Sequence, residues 1–214
     1  MMLSRRQLLK KGAGAAVVGM AGAAALPGRL ATPRATAAVP RRCVALGPAG
    51  CIAPGCPQDL RAAGNRALLA DSGTRWVRLW ADWPTLMPAP GTFATDRVEA
   101  LDDQLAQARA DGLGTILTLY RTPEWAGRAV AAAGAWEQFV AWVVARYGPA
   151  TDVLELCNEP NLAGTSPATV AAMFVTAQRI AGGLGSKLVL AGPGTSDIRG
   201  YATFTERLLD ALDA

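Results

Sequence analysis

Short apolar runs alternate with longer stretches of helical periodicity through most of this chain, and that alternation limits the folds open to it. Residues 43–46, 76–80, 115–120, 153–157 and 187–191 have the length and composition of buried strands. Between them Val98, Leu101, Leu105 and Ala108 recur at helical spacing, then Trp136, Phe139, Val140, Val143, Val144 and Tyr147, then Val170, Met173, Phe174 and Ala177. Residues 57–71, with Leu60, Leu68 and Leu69 as apolar contacts, and residues 201–214 read as two further helices. Ser166-Pro167 is a helix start, an N-cap followed by proline at the first position. Strand starts fall about 30–40 residues apart, the size of a βαβ unit. A closed barrel and an open doubly wound sheet both fit that rhythm. The open sheet would carry a Gly-rich phosphate loop after a strand, and none of these loops has that pattern. The expected fold class is therefore α/β, a (β/α)8 TIM barrel. About five strand–helix units are present where a closed barrel has eight, so the barrel is expected to be incomplete.

The first residues stand apart from this pattern. Ser4-Arg5-Arg6-Gln7-Leu8-Leu9-Lys10 is a twin-arginine pattern, a Gly/Ala-rich apolar stretch follows at 12–26, and Ala35-Thr36-Ala37 offers a small-residue cleavage site. Residues 1–37 read as a bacterial twin-arginine signal peptide, with 38–214 as the barrel domain. The apolar stretch falls short of the roughly 20 residues that a spanning helix needs, so no stable membrane anchor is expected after processing. The mature protein would be secreted, periplasmic or at the cell surface, with the twin-arginine export machinery as its partner in transit. The chain has 21 basic and 17 acidic residues, and six of the bases lie in 1–37 with no acid. The remainder then holds 15 bases against 17 acids, a balance of −2, and no basic patch argues for nucleic acid. The absence of histidine excludes a Ser-His-Asp triad, a Cys-His pair and histidine-based metal sites within these 214 residues. A disulfide pair among Cys43, Cys51 and Cys56 is compatible with export, while Cys157 reads as a small buried hydrophobe.

Alternation along the strands decides which side chains can meet. In the second strand Val77 and Leu79 share one face, and Trp76, Arg78 and Trp80 the other. In the fourth, Leu154 and Leu156 share a face opposite Glu155 and Cys157. The leucine faces belong against outer helices, which turns Arg78 and Glu155 into the barrel. A buried charge needs a partner, and Glu155 is one candidate for Arg78. Arg78 reads either as half of a structural ion pair or as a residue that orients catalytic carboxylates. The fourth strand ends in Asn158-Glu159-Pro160. Pro160 lacks an N–H and biases Glu159 away from helix, so Glu159 falls where strand gives way to loop. Strand ends of this kind are where α/β barrels keep their chemistry.

Three segments in order carry a resemblance. Val77-Arg78-Leu79-Trp80-Ala81-Asp82-Trp83 with Pro88-Ala89-Pro90-Gly91, then Thr118-Leu119-Tyr120-Arg121-Thr122-Pro123-Glu124-Trp125-Ala126, then Leu154 to Asn161, resemble the second, third and fourth strand regions of the large clan of retaining (β/α)8 glycoside hydrolases. The cellulase-like and β-xylosidase-like families of that clan are the nearest in character. The resemblance implies that Glu159 is the general acid/base and that Asn158 hydrogen-bonds the sugar 2-hydroxyl. It implies an oligo- or polysaccharide substrate, a retaining two-carboxylate mechanism, and no cofactor or metal. Such an acid needs a raised pKa to protonate a glycosidic oxygen near neutral pH. Many members of the clan place a histidine near the third strand; here Tyr120 or Arg121 would occupy that space. Trp83 and Trp125 follow strands and would either offer flat faces to sugar rings or pack beneath the loops. Asp82, Glu124 and Asp197 also follow strands, and as single acids they read as surface residues. The family's nucleophilic glutamate ends a seventh strand, so this 214-residue chain is expected to lack it and to be inactive alone. Two other readings stand beside this one: a non-catalytic carbohydrate-binding protein that kept the cleft, and an unrelated α/β barrel enzyme.

Overall fold

The structure, a computed structural model, describes residues 42–45, 59–127, 134–162, 164–182, 188–190 and 198–214, with backbone alone for 42–45, 188–190 and 198–199. The twin-arginine segment, Cys51, Cys56, the side chain of Cys43 and Asp197 lie outside what is described, and so does the disulfide reading. The elements alternate in the expected order: β1 (Arg42–Ala45), α1 (Ala63–Asp71), β2 (Thr74–Asp82), α2 (Thr95–Ala110), β3 (Gly114–Tyr120), α3 (Ala135–Tyr147), β4 (Val153–Leu156), α4 (Pro167–Ile180), β5 (Leu188–Leu190) and α5 (Ile198–Asp213). The five strands form one sheet in sequential order, and every neighbouring pair is parallel. Sequential parallel strands joined through helices are the repeating unit of a (β/α)8 barrel, of which the chain forms part.

The two faces of this sheet have different fates. Val77, Leu79 and Ala81 of β2, Leu117 and Leu119 of β3, and Leu154 and Leu156 of β4 are all buried. They meet Val98, Leu101, Leu105 and Ala108 of α2, Phe139, Val140 and Val143 of α3, and Met173 and Ala177 of α4 in one continuous core. Each fully buried leucine here contributes about 1.5–3 kcal/mol. On the inner face, Trp76, Arg78, Ile116, Val153 and Glu155 are half-buried, whereas Trp80, Thr118 and Asp82 are buried. Trp80, Thr118 and Glu155 are register neighbours across three strands, one layer of barrel-interior side chains. Gly114 is required in this interior: a Cβ there would stand 2.5 Å from the ring of Trp76, its partner in register. Removing the side chain from β3 lets the indole lie across the strand.

Three sequence expectations shift. Helix α1 begins at Ala63, well after residue 57, because Asp59 accepts hydrogen bonds from Arg61 N and Arg61 Nε, both at 2.9 Å, and holds a turn ahead of the helix. Leu60 is fully buried in that turn, but Leu68 is 70% exposed and supports nothing beneath it. Asp82 is 0% exposed and is no surface acid. The N-cap at Ser166 is as read: its hydroxyl accepts from Thr169 N at 3.1 Å.

Candidate active site

Alternation points Arg78 and Glu155 to the same inner face, with β3 between their strands. Arg78 Nε donates to Glu155 Oε2 at 2.5 Å, and the Thr118 hydroxyl on the intervening strand donates to the same oxygen at 2.6 Å. The two charged side chains keep 18% and 17% of their surface. A pair this withdrawn from water holds only when its remaining donors are satisfied. Arg78 meets that requirement with a second bond, from Nη1 to Asn158 Oδ1 at 3.0 Å, and by lying 4.4 Å from the centroid of the Trp80 ring. The expected partner of Arg78 is therefore Glu155, and its further contact is Asn158 rather than Glu159.

That second bond sets the chemistry of Asn158. Arginine has donors and no acceptor, so the amide atom facing Arg78 must be the carbonyl oxygen. The Asn158 NH2 group is then turned the other way, free to donate to a ligand oxygen. Of the two readings of Arg78 left open by the sequence, the ion pair is the one present, with Asn158 as a further partner in place of a rim carboxylate.

Beyond Leu156 the chain leaves the sheet abruptly. Among the described residues three non-glycine positions have positive φ: Arg121 at 56°, Cys157 at 64° and Glu159 at 42°. Each such residue costs on the order of 1–3 kcal/mol unless its surroundings impose it. All three line one cleft of about 430 Å³. Its walls are Leu119, Tyr120, Arg121 and Thr122 after β3, and Cys157, Asn158, Glu159, Pro160, Leu162 and Thr165 after β4, with Trp136 and Met173 behind them. Glu159 sits exposed at this rim. Its backbone is left-handed rather than extended as Pro160 would favour. A run of turns follows: Glu159 O accepts from Leu162 N at 2.9 Å, and Pro160 O from Thr165 N at 3.1 Å. Pro160, with φ fixed by its ring, takes the second position of the first of these turns.

Tyr120 lines the cleft, edge-on to Trp80 with centroids 4.6 Å apart. Trp83 does not. It is 0% exposed, stacked on Phe139 at 4.9 Å and tilted against Trp136 at 5.5 Å, so it has no face to offer a sugar. The helical turn Trp83–Leu86 rolls its indole under the sheet end and into the helix-side core. Trp125 is half-buried and does not line this cleft: its Nε1 donates to Met87 O at 3.1 Å and its ring meets Trp83 edge-on. For Trp83 the packing alternative holds; Trp125 is partly exposed and packs against the same core.

One feature beside the cleft goes against the sequence reading, and another, the packing of Cys157, follows it. Asp82 accepts from both Arg121 Nε, at 2.7 Å, and Arg121 Nη2, and from the Thr85 hydroxyl. The signal was available: Asp82 has the same strand parity as Arg78 and Trp80, which places it inside. Cys157, packed against the core, has its thiol pushed up to about 12, by burial first and by the neighbouring Glu155 charge second. No cluster of His, Cys, Asp or Glu able to hold a metal ion occurs among the described residues.

No protein-family model and no curated protein matches the chain. Solved structures do. It is similar to an exo-β-1,4-mannosidase from Opitutaceae bacterium strain TAV5, with 18% identity and TM-score 0.54 over 71% of this chain and 31% of that one. It is similar to endo-glycoceramidase II from Rhodococcus sp., with 17% identity and TM-score 0.52 over 63% and 45%. A β-glucosidase from Exiguobacterium marinum gives 14% identity and TM-score 0.51 over 63% and 37%. The matches are glycoside hydrolases, and at these identities the likeness establishes the shared barrel fold. The chain spans from under a third to under half the length of these structures.

A thiol that stays protonated is a poor nucleophile. Peptide mapping after iodoacetamide treatment at pH 8 should therefore find Cys157 unmodified in folded protein and labelled in urea. Labelling of Cys157 at equal rates in both conditions would contradict the raised thiol pKa.

Proposed function

We propose that this chain carries the acid/base half of the active site of an exported glycoside hydrolase acting on β-linked oligo- or polysaccharides. The observation that carries this reading is the placement of Glu159 at the rim of β4 beside an asparagine whose amide is already aimed by Arg78. In this reading Glu159 protonates the glycosidic oxygen as the bond to the leaving group breaks. In the second half of the reaction it deprotonates the attacking water. Asn158 donates from its NH2 group to the hydroxyl beside the reacting carbon, a bond that strengthens as positive charge develops on the sugar ring. Tyr120 forms part of the wall against which the sugar lies. The neighbours named above, a mannosidase, an endo-glycoceramidase and a β-glucosidase, support a glycoside as substrate.

Retention requires two carboxyl groups about 5–5.5 Å apart. Among the described residues the lining of the cleft holds one, Glu159. Glu155 and Asp82 are spent on arginines. The nucleophile in this reading comes from outside the described residues. The single lining carboxylate also favours a second reading, a carbohydrate-binding protein without turnover. Export rests on Arg5-Arg6 and the small-residue site near Ala37; N-terminal sequencing of exported protein should begin near Ala38, and a sequence beginning at Met1 would remove that part of the proposal.

The main test uses a protein that contains this segment together with the second carboxylate. Glu159→Gln should lower turnover of unactivated β-glycosides by at least about a hundredfold, the scale of lost general acid catalysis, while binding is retained. Turnover equal to that of the native protein would take Glu159 out of the mechanism. Glycan binding with no turnover in either protein would establish the second reading.

A further inference from the structure

Arg121 lies in the wrong place for a residue that simply continues its strand. Tyr120 faces the barrel interior, so alternation would send Arg121 outward, among the helices. Its φ of 56° reverses that direction. The side chain instead returns over the end of β2, where Nε donates to Asp82 Oδ1 at 2.7 Å and Nη2 to Asp82 Oδ2. Asp82 is fully buried, and its carboxylate also accepts from the Thr85 hydroxyl. The guanidinium carbon lies 5.5 Å from the centroid of the Tyr120 ring. A strained backbone, a buried carboxylate and an aromatic face thus converge to hold one guanidinium. Yet half of the Arg121 side chain remains exposed, and the residue lines the cleft beside Asn158 and Glu159. The proposed mechanism makes no use of this arrangement.

Asp82 occupies the Nε/Nη2 edge of the guanidinium. The other edge, with parallel N–H groups on Nη1 and Nη2, is not used by Asp82. Such a fork matches two adjacent oxygen atoms, a carboxylate or a pair of neighbouring hydroxyls. Charge decides between them. Asp82 cancels the arginine charge directly beneath it. An anionic sugar would gain little from the neutralised pair, whereas neutral hydroxyls need only the N–H fork. We infer that Arg121 is a specificity-determining residue whose free edge donates to adjacent hydroxyls of a neutral sugar, and that Asp82 is the residue that positions it. This rests on reading the cleft as a glycan site, but it concerns binding and does not depend on turnover.

The experiment measures binding by calorimetry on the full chain, with cellotetraose, xylotetraose, mannotetraose and trigalacturonate as probes. At least one neutral probe should bind. Arg121→Lys, which keeps the charge but loses the fork, should weaken that binding by about tenfold or more. Asp82→Asn should weaken it too, and the double variant should bind no worse than Arg121→Lys alone, because both act through one guanidinium. Should Asp82→Asn fail to fold, Arg121→Lys and Arg121→Gln, altered at a half-exposed side chain, still decide the matter. Native-like binding by both Arg121 variants, binding by none of the neutral probes, or tighter binding of trigalacturonate than of every neutral probe would each overturn the inference. Turnover and its loss in Glu159→Gln are read separately, so the glycosidase reading can stand or fall without this one.

Discussion

Two opposite charges on strands that do not touch, Arg78 on β2 and Glu155 on β4, meet across β3 on the face of the sheet turned from the helix-side core. Moving either one alone out of water would cost several kcal/mol. Their contact at 2.5 Å, the Thr118 hydroxyl on the carboxylate and the Trp80 ring against the guanidinium offset that cost. The pair therefore constrains three strands at once. It fixes which face of each strand looks inward, because a register slip of one residue would bury one charge among the helices without the other. It also reaches beyond the sheet: Arg78 is the residue that holds the Asn158 carbonyl, and Asn158 is the neighbour of Glu159. Fold and site are thus joined through one guanidinium.

Strand ends in this chain are bent with left-handed residues that have side chains to place. Arg121, Cys157 and Glu159 each adopt a conformation more readily available to glycine, and all three line the cleft. Glycine at these positions would relax the backbone but leave no guanidinium on Asp82 and no carboxyl at the rim. Strain concentrated where function is proposed is the pattern expected when local conformational preference is overruled by what the site must present. At the same cleft, burial and the charge of Glu155 both push the Cys157 thiol pKa up.

The layered parts of the fold were legible in the sequence because they obey two periods. Leu154 and Leu156, two apart, and Val98, Leu101, Leu105 and Ala108, at helical spacing, all lie in the core where those periods put them. The same alternation found Arg78 and Glu155. Followed to the end of β2 it also finds Asp82, which reads as a surface acid only if the strand is ended at Trp80, whereas the strand runs through Asp82. For Trp83 the strand pattern leaves both packing and sugar contact open. A residue after a strand is placed by the turn that follows, and the helical turn Trp83–Leu86 rolls the indole into the core. Arg121 was named only as a filler of space, because nothing local in Tyr120-Arg121-Thr122 announces a left-handed backbone; a partner 39 residues away imposes it.

The central claim is that Arg78 and Glu155 act as one unit. A double-mutant cycle on the urea unfolding free energy, with Arg78→Met, Glu155→Gln and their combination, tests it most directly. Each single change leaves a largely buried charge without its partner and should cost roughly 3 kcal/mol, the low end for buried pairs because both side chains keep some water contact. The combined variant should cost less than the sum of the two by at least about 1.5 kcal/mol. Losses that add to within about 0.5 kcal/mol would show two independent residues, and would contradict the account of how this sheet face is held and how Asn158 is aimed.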